Sequence, residues 1–271
     1  MHFLKKFKKV LRETNSHLVI GLDPDLRKLP KFFKEIKNEH PYSAFNRIIV
    51  EATKDIVAGY KLNIAFYEEQ GNAGWDVISE TLKQIPKDLI RIADAKRGDI
   101  ENTSELYAKT FFETYDFDAI TVHPYMGEDS VRPFLRFKNK FVFLLLLTSN
   151  FGSKDFQFLK ITNKPLWKHV AEKAMDWNNE KIGFVVGAGH HRELKQITSE
   201  LPETPLLIPG IGAQKNSLEK LLSSLNHKLW IINQSRSIIY SDYHVKSEKE
   251  FKEKVRENAM FTNSEIQKAL Q

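Results

Sequence analysis

The stretch LIRIADAKRGD, residues 89–99, joins an apolar run to a cluster of acidic and basic side chains. The apolar part predicts a buried strand, and residues two apart on a strand share a face, so we expect Asp94 and Lys96 to project together. Gly98 permits a tight turn that returns Asp99 toward the same point. Two carboxylates around one ammonium make a strong local field, which is typical of functional sites.

The same pattern of an apolar, β-branched run followed by helical periodicity recurs along the whole chain. Strands are predicted near residues 17–22, 60–65, 89–94, 118–122, 141–147, 182–187, 205–208 and 229–233. Helices are predicted near residues 41–58, 73–84, 102–115, 128–136, 165–178, 190–199, 214–225 and 246–268. Eight alternations predict an α/β fold, the closed (β/α)8 TIM barrel, with residues 1–271 as a single domain. The alternative, an open doubly wound sheet, lacks its glycine-rich turn after the first strand.

Composition narrows the class of protein further. The 271 residues are 41% hydrophobic and 28% charged, which suits a globular protein with a sizeable core. The absence of cysteine excludes disulfides and thiolate chemistry, and we expect a cytoplasmic protein. The net charge of +6 is spread among interspersed Lys and Glu residues, which argues against nucleic acid as a partner. The longest apolar run, residues 141–147, is far too short to span a membrane.

The N-terminal segment has helical periodicity. Its apolar side chains lie on one side of a predicted helix at about residues 2–13, opposite the lysines: Phe3, Leu4, Phe7, Val10 and Leu11. The segment lacks the apolar centre of a signal peptide. A helix on the membrane surface is one interpretation, and we favour a helix that packs on the domain.

Polar residues interrupt the apolar strands almost only where the strands end. Chemistry in TIM barrels occurs at the carboxyl ends of the strands, so these residues are expected to share one pocket. The residues at these ends include Asp23, Lys61, Asp94, Lys96, Asp99, His123, Ser149, Gly210 and Arg236.

The last two strand ends predict a phosphate site. Gly210 and Gly212 allow backbone N–H groups to approach an anion, and a helix then begins at about Gln214. Arg236 can bind the phosphate through two charge-assisted hydrogen bonds. The alternative is that the glycines serve turns and that Arg236 pairs with a surface acid.

Other residues at the strand ends allow more than one interpretation. Lys61, Lys96 and the two acids could form a structural ion-pair network, and Asp23 could bind sugar hydroxyls or form an Asx-type turn. His123 could touch a ligand, although we favour a hydrogen bond to a backbone carbonyl. We expect His190 and His191, which begin a helix, to cap it or lie on the surface. Magnesium held by Asp94, Asp99 and a substrate phosphate stays an alternative to a site without metal.

These motifs together resemble the orotidine 5′-phosphate decarboxylase family, in its longer bacterial branch. The family signature D-x-K-x-x-D-I matches residues 94–100, and Asn102-Thr103 follow as in many members. The resemblance covers almost the whole chain through Gly21-Leu22-Asp23, Lys61, Thr148-Ser149-Asn150, Pro209-Gly210-Ile211-Gly212 and Arg236.

The resemblance implies a cofactor-independent decarboxylation of orotidine 5′-phosphate (OMP) to UMP and CO2 in pyrimidine biosynthesis. It implies a charged catalytic tetrad of Lys61, Asp94, Lys96 and Asp99, in which Lys96 stabilises and protonates the ring carbanion. It also implies a homodimer in which Asp99 and Thr103 reach the neighbouring subunit's site. The remaining contacts would be Asp23 to the ribose, Ser149 to the pyrimidine, and Gln214 with Arg236 to the phosphate.

Two rival functions are distinguishable by experiment. A phosphosugar barrel enzyme, such as a keto-acid sugar-phosphate decarboxylase or a hexulose-phosphate synthase, carries a similar acidic signature and uses magnesium. A non-catalytic binder would instead show salt-dependent affinity for DNA or anionic lipid and no turnover.

Overall fold

The computed structural model describes residues 2–178, 180–210, 215–240 and 245–270. Ten strands lie in these ranges: β1 (Leu18–Leu22), β2 (Gly59–Asn63), β3 (Ile90–Arg97), β4 (Ala119–Val122), β5 (Phe141–Leu147), β6 (Lys160–Ile161), β7 (Lys164–Pro165), β8 (Ile182–Val186), β9 (Leu206–Pro209) and β10 (Trp230–Gln234). Eight of them close into a barrel in the order β1-β10-β9-β8-β5-β4-β3-β2, while β6 and β7 form an antiparallel ribbon. The described pairings in the barrel are parallel, and the predicted TIM barrel is confirmed.

Helices follow the strands as the sequence predicted. The α-helices of the described residues are α1 (Phe3–Thr14), α2 (Pro41–Thr53), α3 (Ala65–Glu68), α4 (Asn72–Gln84), α5 (Glu101–Lys109), α6 (Glu128–Leu135), α7 (Ser153–Phe156), α8 (Leu166–Asn178), α9 (His191–Glu200), α10 (Lys215–Leu222), α11 (Arg236–Ile239) and α12 (Glu248–Lys268). The predicted helix at 102–115 becomes α5 followed by a π-helical turn, Thr110–Thr114. The short helices α3, α7 and α11 were not predicted, because one turn is too short to show periodicity.

The chain divides into two compact units. One comprises Met1–Lys8 with Ala95–Ile232, and the other comprises Lys9–Asp94 with Asn233–Gln271. That residues 1–271 act as one domain stays a prediction.

In the unit that contains Ala95–Ile232, α1 supplies aromatic side chains to the core. Phe3 and Phe7 are buried, and the Phe3 ring stacks on Phe141 of β5 with 4.3 Å between ring centroids. Lys6 is also buried, and its Nζ lies 2.7 Å from Asp118 Oδ2. The helix therefore packs on the protein as we favoured, with one lysine on its buried side. In the described ranges, no helix is long and apolar enough to cross a membrane.

In the other unit, β1, β2 and β3 pair in register under α2 and α12. Gly21 lies beside Lys61, and Asn63 lies beside Asp94. An aromatic cluster joins the helices, with Phe45 and Phe251 at 5.4 Å between centroids. This register brings the carboxyl ends of three strands to the same level, which positions the polar residues described next.

Candidate active site

Lys61 on β2 and Asp94 on β3 form a largely buried ion pair in this second unit. Lys61 Nζ lies 2.8 Å from Asp94 Oδ2, and the two side chains are only 5% and 13% exposed. Burial acts to lower the pKa of the Lys61 ammonium, but the charges of Asp94 and Asp23 and the hydrogen bond to Asp94 outweigh it. The pKa of Lys61 therefore lies above its ordinary value, and the group is a fixed cation at neutral pH.

Asp23 lies at the carboxyl end of β1 and adds a second negative charge near Lys61. Its Oδ1 is buried and accepts no hydrogen bond from the described residues. A Cβ on Gly21 would lie 3.1 Å from Asp23 Oδ2 and 2.9 Å from Ser235 Cβ, so glycine leaves room for this carboxylate. The Asx-type turn is made by Asp25 instead, whose Oδ1 accepts from the Arg27 N–H at 3.1 Å.

The carboxyl end of β10 adds further polar atoms to the same unit. Asn233 Oδ1 and Ser235 Oγ are buried without a hydrogen-bond partner among the described residues. Arg236 is exposed at the start of α11. It forms no ion pair with any described residue, so the described part of the chain gives no support to the alternative that Arg236 pairs with a surface acid. Sequence reasoning did not assign Asn233 and Ser235 a role, although they interrupt an apolar strand at its end.

Lys96, which belongs to the unit containing Ala95–Ile232, has an unusual backbone. Its φ is +47°, a left-handed conformation that a side chain with a Cβ rarely adopts. The Lys96 N–H donates to Thr121 Oγ1 on β4 at 2.9 Å, which holds this conformation, and the residue is exposed. That Lys96 shares a face with Asp94 stays a prediction. Strain of this kind is concentrated at functional sites.

Gly98 is required for a different reason from the predicted turn. A Cβ at Gly98 would lie 2.6 Å from His123 Nε2, which is closer than side-chain atoms approach one another. His123 Nε2 lies 3.3 Å from the Gly98 carbonyl oxygen. The structural role that we favoured for His123 is confirmed, and the imidazole packs where only glycine fits.

Asp99 is oriented by its own loop. The Asp99 N–H donates to Ser104 Oγ at 2.9 Å, and Asp99 Oδ1 accepts from the Ile100 N–H at 2.7 Å. Ser104 is fully buried on α5 and also donates toward the carbonyl of Ser130, whereas Thr103 beside it is exposed. Sequence reasoning missed Ser104, because its role depends on a contact 26 residues away.

Ser149 follows β5 in a turn that neighbouring side chains hold. The Thr148 N–H donates to Gln157 Oε1 at 2.9 Å, and His190 Nε2 lies 2.9 Å from the Thr148 carbonyl oxygen. His190 is the N-cap residue of α9, as expected, and its carbonyl oxygen accepts from the Leu194 N–H at 2.8 Å. Its side chain does not cap the helix and contacts the Thr148 carbonyl instead. Ser149 itself is exposed, and its Oγ would lie 3.7 Å from a Cβ on Gly210.

Gly210 is, besides Arg236, a described residue of the predicted phosphate site. Its φ of +87° is readily adopted only by glycine, and that Gly210 binds phosphate stays a prediction. Gly212 and Gln214 lie outside the described residues. Within the described part of the chain, no group of three or more His, Asp or Glu side chains is arranged to hold a metal ion.

The fold and these strand ends define a class of protein, the TIM-barrel enzymes with charged residues at the carboxyl ends of their strands. A family model described as "Orotidine 5'-phosphate decarboxylase / HUMPS family" matches residues 16–250, and the chain belongs to this family. It is 46% identical over 249 residues to the orotidine 5′-phosphate decarboxylase of Dehalococcoides mccartyi strain CBDB1, covering 89% of this chain and 90% of the relative. A relative of the same name from Flavobacterium johnsoniae is 44% identical over 260 residues, covering 94% of this chain and 93% of the relative.

The solved structures agree with the sequence relatives. The OMP decarboxylase of Leishmania donovani superposes with a TM-score of 0.83 at 32% identity, covering 99% of this chain and 98% of that one. The relatives are named as a carboxy-lyase, and this chain is an enzyme of that class, as predicted. The predicted family is confirmed.

Proposed function

We propose that this protein converts OMP to UMP and CO2 without a cofactor. The observation that carries the proposal is the buried Lys61–Asp94 ion pair beside Asp23, in a chain 46% identical to a decarboxylase of this name. Such fixed charges in a poorly hydrated place act strongly on charge that develops in a transition state. A cytoplasmic location goes with this role in pyrimidine biosynthesis.

We assign the chemical step to Lys96. When the bond between the ring carbon and the carboxylate breaks, its electron pair remains on the carbon and CO2 leaves. The Lys96 ammonium stabilises this carbanion and then donates a proton from Nζ to the same carbon. The neutral amine regains its proton from water. The left-handed backbone at Lys96 supports the assignment, because the sequence accepts strain there.

The other charged residues of the tetrad orient the lysines. Asp94 fixes Lys61 at 2.8 Å, and Asp99 provides a second carboxylate whose loop is held by Ser104. We assign ribose binding to Asp23, because its buried Oδ1 accepts no hydrogen bond from the described residues and can accept one from a ribose hydroxyl. Ser149 is assigned to the pyrimidine, and the phosphate is assigned to the site predicted at Gly210, Gly212, Gln214 and Arg236.

We further propose a homodimer in which Asp99 and Thr103 serve the partner's site. The support is a set of exposed apolar side chains in the same unit, of which Ile100 follows Asp99 directly and Leu106 lies one helical turn after Thr103. Ile100 is 61% exposed, Leu106 is 56% exposed and Tyr125 is 86% exposed. Apolar groups of this size beside polar ones are typical of surfaces that associate.

The decisive test follows the loss of OMP absorbance in the ultraviolet, with and without EDTA. Turnover that survives EDTA is expected, and activity that disappears with EDTA and returns with magnesium would favour the metal-dependent rival. The Lys96→Ala variant should lose turnover and still bind UMP. Lys173→Ala, which removes an exposed lysine of α8, is the matched control and should keep full activity. Turnover by Lys96→Ala at the rate of the parent would exclude the assignment.

A further inference from the structure

Two tyrosine hydroxyls hold the backbone on which Asp23 lies. Tyr240 Oη accepts from the Asp25 N–H at 2.6 Å and donates to the Asp23 carbonyl at 3.0 Å. Tyr67 Oη donates to the Leu22 carbonyl at 2.9 Å. The residues on both sides of Asp23 are therefore fixed by side chains, whereas the Asp23 Oδ1 that they position has no described partner.

The hydroxyl of Tyr67 is itself fixed by a hydrogen bond from a buried asparagine. Asn46 on α2 is fully buried, and its Nδ2 donates to Tyr67 Oη at 3.0 Å and to Thr81 Oγ1 at 2.9 Å. Because Tyr67 Oη receives this hydrogen bond, its own proton is directed to the Leu22 carbonyl. The chain of hydrogen bonds runs from α2 and α4 through Tyr67 to the end of β1.

Both hydroxyls keep their protons at neutral pH. Burial raises the pKa of Tyr67 and of Tyr240 above the ordinary value, and the charges of nearby aspartates act in the same direction. At neutral pH both hydroxyls therefore act as donors to the Leu22 and Asp23 carbonyl oxygens.

Tyr240 also joins the Asp23 loop to the helix that begins with Arg236. Its backbone N–H donates to the Arg236 carbonyl at 3.1 Å, and its ring stacks on Phe45 with 5.4 Å between centroids. One residue thus contacts both the loop assigned to the ribose and the helix assigned to the phosphate. Its side chain holds the loop, and its backbone belongs to the end of the helix.

We propose that Tyr240 and Tyr67 are positioning residues that set the Asp23 carboxylate for the sugar hydroxyls of the nucleotide. The inference rests on the proposed function and deepens it. Neither tyrosine touches the substrate, and both act through the backbone of residues 22–25. Their hydroxyls determine how strongly the protein prefers a ribose to a sugar without hydroxyl groups.

The test compares binding of UMP with binding of 2′,3′-dideoxy-UMP by calorimetry. In Tyr240→Phe the affinity for UMP should fall about threefold to tenfold, the equivalent of about one net hydrogen bond, with little change for the dideoxy nucleotide. Tyr67→Phe should have the same effect, and it provides the test if Tyr240→Phe does not fold. In an Asp23→Asn background, neither change should alter the ratio of the two affinities further.

Tyr60→Phe is the matched control. Tyr60 is fully buried in the same unit, and its hydroxyl bonds Thr53 at 2.7 Å on the helix-facing side of β2. This variant should lose stability without changing the preference for UMP over the dideoxy nucleotide. Equal losses for both nucleotides in Tyr240→Phe and Tyr67→Phe, as for any loosened fold, would overturn the proposal. Wild-type protein that does not turn over OMP would instead reject the proposed function, and the positioning role with it.

Discussion

Replacing Lys61 with Met tests the ion pair on which the proposed site depends. The change keeps the length and most of the apolar volume of the side chain but removes the ammonium, which leaves Asp94 buried and charged. Removing one partner of a buried pair typically costs about 3–5 kcal/mol, because the remaining charge has lost its compensation. Asp94 has further polar interactions, so we expect the lower end, about 3 kcal/mol of the free energy of unfolding.

The ion pair of Lys168 provides a control, because it has the same length as that of Lys61 and is more exposed to solvent. Lys168 Nζ lies 2.8 Å from Glu200 Oε1, as Lys61 Nζ does from Asp94, but those side chains are 23% and 48% exposed. Lys168→Met should therefore cost only about 0–1 kcal/mol. The difference between the two variants isolates the effect of burial from that of the hydrogen-bond distance.

Urea denaturation followed by circular dichroism measures both free energies. In Lys61→Met, the further change Asp94→Asn should restore about 1–2 kcal/mol, because a neutral amide does not carry the cost of an unpaired charge. The reasoning is refuted if Lys61→Met is as stable as Lys168→Met, or if Asp94→Asn adds to the damage. OMP turnover should be lost in Lys61→Met in either case.

Three further results are expected. Hydrogen bonding and charge from Arg27 hold the pKa of Asp25 below its ordinary 3.8, so Asp25→Asn should lower the free energy of unfolding at pH 7, and the deficit should shrink as the pH falls below 3.8; a deficit that grows in acid would contradict this. Arg236→Ala should weaken UMP binding by about 1.5–3 kcal/mol in calorimetry and leave uridine binding unchanged, whereas equal UMP affinity would remove Arg236 from the phosphate site. Mixing the inactive variants Lys96→Ala and Asp99→Ala should restore about a quarter of the parent activity. Half of the randomly formed dimers are mixed, and each mixed dimer has one intact site of its two. No recovery after subunit exchange would place Asp99 in its own subunit's site.

The sequence predicted the fold because each barrel strand carries its own signal. β5 is the clearest case, since seven consecutive apolar residues predict a strand covered on both faces, and all but Leu145 are buried. The short helix α3 gave no such signal, although it supplies Tyr67. Elements of four residues are positioned by tertiary contacts, so periodicity cannot reveal them.

The charged residues of the site could also be predicted from the sequence, but the residues that hold them in place could not. Lys61, Asp94 and Asp23 interrupt apolar runs, and the structure brings these three together in one unit. Ser104 and Tyr240 look ordinary in the sequence, because their hydroxyl groups act on backbone atoms distant along the chain. The left-handed conformation of Lys96 was hidden for a similar reason, since Thr121 imposes it from the next strand.

The distribution of unsatisfied groups argues that these strand ends are shaped for a ligand. A buried ion pair seldom adds stability over apolar residues of the same volume, so the Lys61–Asp94 pair alone is a poor stabiliser. Next to it, Asp23 Oδ1, Asn233 Oδ1 and Ser235 Oγ are buried without partners among the described residues, and each such atom costs free energy. All of these atoms lie at the ends of β1, β2, β3 and β10 in one unit. Under the proposed function, the hydroxyl groups and phosphate oxygens of OMP supply the missing hydrogen bonds at once, and the binding energy then includes the relief of that cost.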